Sequence, residues 1–249
     1  MPPPRILTIA GSDSSGGAGV QADIKTITVL GGYAMSAITA VTAQNTLGVS
    51  AVEVLAPLLV AAQIDACLSD IGIDAIKIGM LGSPAIAAMV AERIAALAVP
   101  VVFDPVMVAS SGAALADPAT IAVFERLMQL ATLTTPNVAE LAALGGHDAM
   151  TARGVAYLAK GGDTTSERVE DVLVIPGAEP HVMAAARIHT RHTHGTGCTL
   201  SSAIALYLAK GLPLPEAVDR ARLFVRSALR AAPGFGAGSG PLGHSEARG

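Results

Sequence analysis

Apolar and polar positions along the 249-residue chain switch between two periods, and the switches lay out its elements. Arg5–Gly11 is an apolar run of strand length, and Gly19–Leu30 carries Val20, Ile24, Ile27 and Leu30 at helical spacing. Tyr33–Thr42 and Val49–Leu55 read as strands. Pro57 then opens a helix to about Leu68, since the N–H that proline lacks would be unpaired in a first turn anyway. Asp74–Ile78 reads as a strand, Pro84–Ala98 as a helix and Val99–Phe103 as a continuous buried strand. Asp117-Pro118 caps and starts a helix to about Ala131; Leu133–Thr135 is a short strand and Val138–Leu144 a helix. Val155–Lys160 and Val172–Ile175 are further strands, and the helices Thr196–Lys210 and Pro215–Leu229 complete the pattern. This alternation predicts an α/β fold with a mostly parallel central sheet and helices on both faces. One domain over residues 1–249 is expected, with a tail loosely ordered from about residue 233.

In open α/β sheets ligands sit outside the carboxyl ends of the strands. Polar and glycine positions gather at those ends: Gly11 to Gly19, Gln44-Asn45, Gly79-Met80, Asp104-Pro105-Val106, Asn137 and Lys160-Gly161-Gly162. Glycines and amides fill turns in any protein, but a charged or amide group at almost every strand end favours an active site.

Composition narrows the classes. Only 14% of residues are charged, against about 25% in typical soluble domains, while 51% are hydrophobic and 3% aromatic. A net charge of −4 on so apolar a chain excludes disorder. With no basic excess and no aromatic stacking set, nucleic acid is not an expected partner. The mean hydropathy of +0.54 raises the question of a membrane. The longest uncharged run, Thr26–Val52, is broken by Gly31-Gly32 and dotted with Ser36, Thr39, Thr42, Gln44 and Asn45. A span needs about 20 predominantly apolar residues, so none is expected. Cys67 and Cys198 are too few for a disulfide framework, and no secretory signal precedes the first strand. A cytoplasmic setting is the expectation, as is a homo-oligomer, in the first place a dimer, because so little surface is charged.

Two loops carry candidate chemistry. Gly11-Ser-Asp-Ser-Ser-Gly-Gly-Ala-Gly19 joins a strand to a helix, yet has neither the Lys-Ser/Thr of a Walker loop nor the spacing of a dinucleotide fingerprint. Its glycines suit close approach of a small ligand, with Asp13 or Asp23 to meet a polar substituent. In His194-Gly-Thr-Gly-Cys-Thr199, the Gly-Thr-Gly turn leaves N–H groups at a helix start, a ready anion site for a transferring phosphoryl group. Cys198 in that first turn is expected to be biased toward thiolate by the helix dipole, and so to serve as a general base toward a hydroxyl. A small thiol packing the turn is the competing reading. His189, His192 and His194 lack zinc-like company and carry no metal expectation. Thr135-Pro-Asn-Val-Ala-Glu140 places an amide and a carboxylate on one turn. Glu140 with Asp104 suits a magnesium-nucleotide, since magnesium takes few carboxylates and keeps several waters; an N-cap role competes for Asn137. Lys160 offers a point charge for phosphate.

Together these motifs resemble the ribokinase-like superfamily, and within it the hydroxymethylpyrimidine/phosphomethylpyrimidine kinases of thiamin biosynthesis. The resemblance runs from Ile6 to His244. It rests on Ala10–Asp23, Thr42-Ala-Gln-Asn-Thr46, Lys77-Ile-Gly-Met80, Asp104-Pro-Val106, Thr135–Glu140, Lys160-Gly-Gly162 and His194–Thr199. It implies ATP-dependent phosphorylation of 4-amino-5-hydroxymethyl-2-methylpyrimidine, then of its monophosphate to the diphosphate, with Mg2+. By matching motif, Gln44 would pair with the pyrimidine edge, with Gly11, Ala18, Met80, Val106 and Asp23 on the substrate side. Gly195, Thr196 and Gly197 would form the anion hole, and Cys198 would stand at the catalytic position. Lys160, Asn137, Glu140 and Asp104 would hold the nucleotide phosphates, Glu140 and Asp104 through the metal. Two departures touch the nucleotide side: Asp163 follows Lys160-Gly-Gly where the family tends to have His, and the Glu140–Lys160 segment is short. A parallel crossover needs a dozen or more residues, so Gly145–Gly154 is expected to form only a stub of helix. The alternatives are a vitamin B6 kinase on the same scaffold and a non-catalytic pyrimidine-binding regulator.

Overall fold

The computed structural model describes residues 2–108 and 115–247. Among these, the chain runs β1 (Arg5–Asp13), α1 (Gly19–Val29), β2 (Tyr33–Asn45), β3 (Gly48–Val54), α2 (Pro57–Asp70), β4 (Ala75–Ile78), α3 (Pro84–Ile94) and β5 (Val101–Phe103). It continues with α4 (Pro118–Leu130), β6 (Leu133–Thr134), α5 (Val138–Ala143), α6 (Gly146–Ala152), β7 (Tyr157–Ala159), β8 (Arg168–Val174), β9 (His181–Ala186), α7 (Thr196–Ala209) and α8 (Leu214–Arg230). The nine strands form one sheet in the order β3-β2-β1-β4-β5-β6-β7-β8-β9. The six from β2 to β7 are parallel, and β3, β8 and β9 add antiparallel edges.

The parallel strands are apolar because both faces are covered. On one face Ile27 of α1 joins Ala203, Ile204 and Leu206 of α7 and Val218 and Phe224 of α8. On the other, Val60 and Ile64 of α2 join Ile86 and Val90 of α3, Phe124 and Leu127 of α4, Leu141 of α5 and Met150 of α6. Helix α7 is buried continuously from Thr199 to Tyr207, as a helix apolar on all sides must be. The chain leaves β1 toward β2 and β3, then crosses back to β4 on β1's other side. That reversal opens a crevice at the carboxyl ends of β1 and β4, where α/β sheets bind ligands.

Local chemistry explains the element boundaries. Ser83 caps α3 by accepting from Ile86 N at 3.2 Å, and Asp117 caps α4 by accepting from Thr120 N at 2.7 Å. The α3 helix stops at Ile94 rather than the expected Ala98, and β5 starts at Val101 rather than Val99. Pro100 disfavours a helical Val99 and cannot donate to a ladder. The stub after Glu140 forms as expected: α6 has seven residues and buries only Met150.

Strand β9 was not foreseen from the sequence. His-Val-Met-Ala-Ala-Ala has little β-branching, and the segment is ordered by its ladder to β8. The tail packs onto the body through residue 247. Leu242, His244 and Ala247 are buried. Ser239 N donates to Thr46 O at 2.9 Å and His194 N to Gly240 O at 3.1 Å, so the tail straps together two strand-end loops.

Candidate active site

The carboxyl ends of β1, β2, β4, β5 and β7 and the N-termini of α1 and α7 enclose a cavity of about 610 Å3. Gly11, Ala18, Gln44, Met80, Val106, Asp104, Asn137, Glu140, Lys160 and Gly195 to Cys198 all line it. One predicted residue does not. Asp23 is fully buried behind the wall, where its two oxygens lie 2.9 Å from Lys77 Nζ and accept from Thr8 and Ser202 hydroxyls. It is a counter-ion, not a substrate ligand: position 23 lies on the inward face of α1 and is spent neutralising a lysine.

At one end of the cavity the two glycine loops interlock. Gly195 caps α7 at φ +87°, and a Cβ there would overlap the Gly17 carbonyl. Gly17 in turn leaves room for the His194 ring, whose Cδ2 a Cβ at residue 17 would strike. His194 Nε2 lies 2.8 Å from Asp13 Oδ2 and 3.3 Å from Gln44 Nε2. Asp13 also accepts from the backbone N–H groups of Ser15, Gly17 and Ala18. Burial alone would raise the Asp13 carboxyl, but the bonds from His194, Ser15 and Ala18 outweigh it and hold it below its ordinary value. His194 and Asp13 are thus built into the site. The sequence offered Asp13 only as one of two carboxylates and offered no partner for His194.

At the other end, Lys160 Nζ donates to Asp104 Oδ1 at 2.8 Å and lies 3.8 Å from Glu140 Oε2. Burial would lower the Lys160 pKa, but Asp104 and Glu140 outweigh it and raise it. Glu140 is pushed up to about 7, first by burial and then by Asp104, against the pull of Lys160. Asn137 and Glu140 form a reciprocal capping box, each accepting from the other's backbone N–H at 2.8 Å, so the cap competing for Asn137 is realised. A Cβ at Gly197 would sit 3.4 Å from both Asp104 Oδ2 and Lys160 Nζ, so the start of α7 faces the lysine and carboxylate directly. Gly195 gives α7 no side-chain cap; its first-turn N–H groups therefore suit an anion.

Cys198 lies where expected, but its ionisation does not. Burial pushes its thiol up to about 11, with Asp23 and Asp104 reinforcing it and Lys77 and the Gly19 N–H only partly offsetting it. The expected thiolate is corrected to a neutral thiol, because burial beside two carboxylates outweighs the helix dipole.

Among the described residues no cluster of three or more His, Cys, Asp or Glu side chains is placed to hold a metal. Asp104 and Glu140 supply two hard oxygen donors, fewer than a closed protein cage and suited to magnesium, which keeps waters and phosphate oxygens of its own. No helix among the described residues is long and apolar enough to cross a membrane.

A strand-end cavity in which a helix start, a lysine and two carboxylates converge opposite an amide defines a small-molecule kinase of ribokinase-like architecture. The chain belongs to the phosphomethylpyrimidine kinase family, which it matches over residues 13–243. It is 46% identical over 255 residues to the hydroxymethylpyrimidine/phosphomethylpyrimidine kinase of Rhizobium meliloti, covering 96% of each chain. It is also 46% identical over 257 residues to a thiamine biosynthesis bifunctional protein of Geobacter sulfurreducens, covering 96% of this chain but 52% of that protein, about half its length. The ADP complex of Bacillus subtilis pyridoxal kinase superposes with a TM-score of 0.88 at 33% identity, covering 98% of both chains.

Proposed function

We propose that this chain transfers the γ-phosphoryl group of ATP to the hydroxymethyl oxygen of 4-amino-5-hydroxymethyl-2-methylpyrimidine, and a second to the resulting monophosphate. The observation that carries this reading is one cavity with an amide-lined, glycine-walled end and an end where α7 starts against Lys160 and Asp104. Gln44 pairs with the pyrimidine edge, and Gly11, Ala18, Met80 and Val106 wall the ring. Gly195, Thr196 and Gly197 present backbone N–H groups to the transferring phosphoryl. Lys160 and Asn137 hold nucleotide phosphates, and Asp104 and Glu140 would hold Mg2+, which when bound neutralises phosphate charge.

Phosphoryl transfer passes through a loose transition state, so positioning and charge stabilisation carry most of the rate. A strong base is not required. Cys198, a neutral thiol, serves by accepting a hydrogen bond from the hydroxymethyl group and aligning its oxygen for attack on the γ-phosphorus. The bond from that phosphorus to ADP breaks, ADP leaves, and the hydroxyl proton passes to an oxygen of the transferred phosphoryl group. Lys160 meets Asp104 although α6 is only seven residues long, which supports catalysis over a binding-only regulator.

A second reading, phosphorylation of pyridoxal or pyridoxine, is favoured by the close superposition on a pyridoxal kinase. Coupled ADP-release kinetics over a panel of pyrimidines and B6 vitamers separates the two, because the ratio of kcat/KM reports differential transition-state binding. The pyrimidine is expected to win. A higher kcat/KM for pyridoxine would overturn the first reading, and replacing Gln44 with Leu is expected to weaken pyrimidine binding by removing a half-buried hydrogen-bonding partner.

A further inference from the structure

Around Gln44 the neighbours leave few hydrogen-bonding options. Asp13 is acceptor-only as a carboxylate, and its other polar neighbours are all donors: Ser15 N and Oγ, Gly17 N and Ala18 N. With His194 Nε2 at 2.8 Å, the imidazole must carry its proton on that nitrogen. A protonated Nε2 has no lone pair, so the Gln44 atom 3.3 Å away has to be an acceptor. On the far side, Thr42 Oγ1 lies 3.0 Å from the Ser12 carbonyl and 3.2 Å from the other end of the Gln44 amide. A hydroxyl has one proton. Given to Gln44 Oε1, it leaves the Ser12 carbonyl without that bond. Given to the carbonyl, it leaves Thr42 to accept from the Gln44 NH2, and only this second arrangement makes both bonds.

Both constraints ask for the same orientation of the carboxamide, oxygen to His194 and NH2 to Thr42. A half-turn about the last side-chain bond interconverts this with the arrangement that sets Nε2 against His194, and the hydrogen-bond network decides between them. We propose that Asp13, His194 and Thr42 lock the Gln44 amide in this sense, and that the lock makes the site select a 4-amino over a 4-oxo pyrimidine. The proposal rests on the reading of Gln44 as the group that meets the pyrimidine edge.

So held, the amide presents an acceptor beside a donor, the complement of an exocyclic amino group next to an unprotonated ring nitrogen. A 4-oxo ring in its lactam form presents the inverse pattern and needs the amide turned over. A free glutamine would read either ring by rotating. To accept the wrong ring the locked one loses its bond to Thr42 and turns its NH2 against the protonated Nε2 of His194, whose one proton is given to Asp13. His194 and Asp13 are positioning residues, acting on substrate through Gln44. Gly17 is glycine so that the imidazole fits.

The test compares kcat/KM for 4-amino-5-hydroxymethyl-2-methylpyrimidine and its 4-oxo analogue in wild type, His194→Leu and Thr42→Val. Each variant is expected to lower the amino-to-oxo ratio by about tenfold or more, a change that general loosening of the fold does not produce. Thr42→Val keeps the side chain's shape and decides the matter if His194→Leu does not fold. Long-range 1H–15N spectra of histidine-labelled protein should show Nε2 of His194 protonated at neutral pH. A wild-type ratio in Thr42→Val, or an unprotonated Nε2, overturns the lock while leaving the pyrimidine kinase reading in place. Wild-type protein that phosphorylates neither pyrimidine overturns that reading and the selectivity with it.

Discussion

Lys77 and Lys160 are both buried near the carboxyl ends of parallel strands, and carboxylates raise both above an ordinary lysine. They do opposite work. Lys77 is 0% exposed and its ammonium meets both oxygens of one equally buried carboxylate, Asp23, so the pair is electrically closed although it borders the cavity. Lys160 is 14% exposed and shared between two carboxyls, Asp104 and Glu140. Glu140, pushed up to about 7, gains or loses its charge near neutrality, so this cluster is not electrically closed toward the cavity. Charge balance rather than burial separates a structural ion pair from a site that takes a metal-bound phosphate.

The comparison is most open to attack at the closed pair. Lys77→Met strands Asp23 without its cation and should cost about 3–5 kcal/mol in denaturant unfolding, most of it recovered when Asp23→Leu is added. A stable Lys77→Met protein that loses only turnover would place this lysine in the chemistry and dissolve the contrast. Lys160→Met should do the reverse, lowering kcat on the order of 10²–10³-fold with less change in unfolding than Lys77→Met.

Cys198 lies within the electrostatic reach of both lysines, and here the carboxylates and burial prevail. Cys198→Ala should therefore lower kcat by about tenfold, short of the hundredfold or more that loss of a general base costs. A wild-type pH–rate profile with a thiol step near pH 7, absent in the variant, would restore the thiolate. The smallest effect concerns His244, a buried base facing the like charge of Lys25. First burial and then Lys25 push it down to about 4. The folded protein binds fewer protons here than the unfolded chain between pH 6.5 and 4, so stability falls on acidification through that window. Between pH 7 and pH 5.5 the loss is roughly 1 kcal/mol, and His244→Asn should flatten that part of the curve.

These contrasts also mark how far the sequence could be read. The parallel sheet and the strand-end part of the cavity lining were legible, because strand-end positions are local: Gln44, Asp104, Asn137 and Lys160 each follow their own apolar run, whereas the lining from Asp171, Arg187 and Arg222 was not. What failed depended on distant partners or on depth. Asp23 sits beside a glycine loop and reads as a ligand until Lys77, 54 positions on, claims both its oxygens. The Cys198 thiolate followed from a helix dipole that is visible in the sequence, whereas the burial that overrides it is not. Nothing in the spacing of His189, His192 and His194 singled out the third, since its partners Asp13 and Gln44 come from the first two strands. Strand β9 is likewise held by neighbours, not by propensity.

The central claim, that one cavity binds the aminopyrimidine at its amide end and delivers phosphoryl groups from the Lys160 end, is tested most directly by a 31P spectrum. Wild-type protein with ATP, Mg2+ and 4-amino-5-hydroxymethyl-2-methylpyrimidine should show a new phosphomonoester resonance first, then the paired resonances of a diphosphate ester as ADP accumulates. ADP and inorganic phosphate with no new ester would contradict the account.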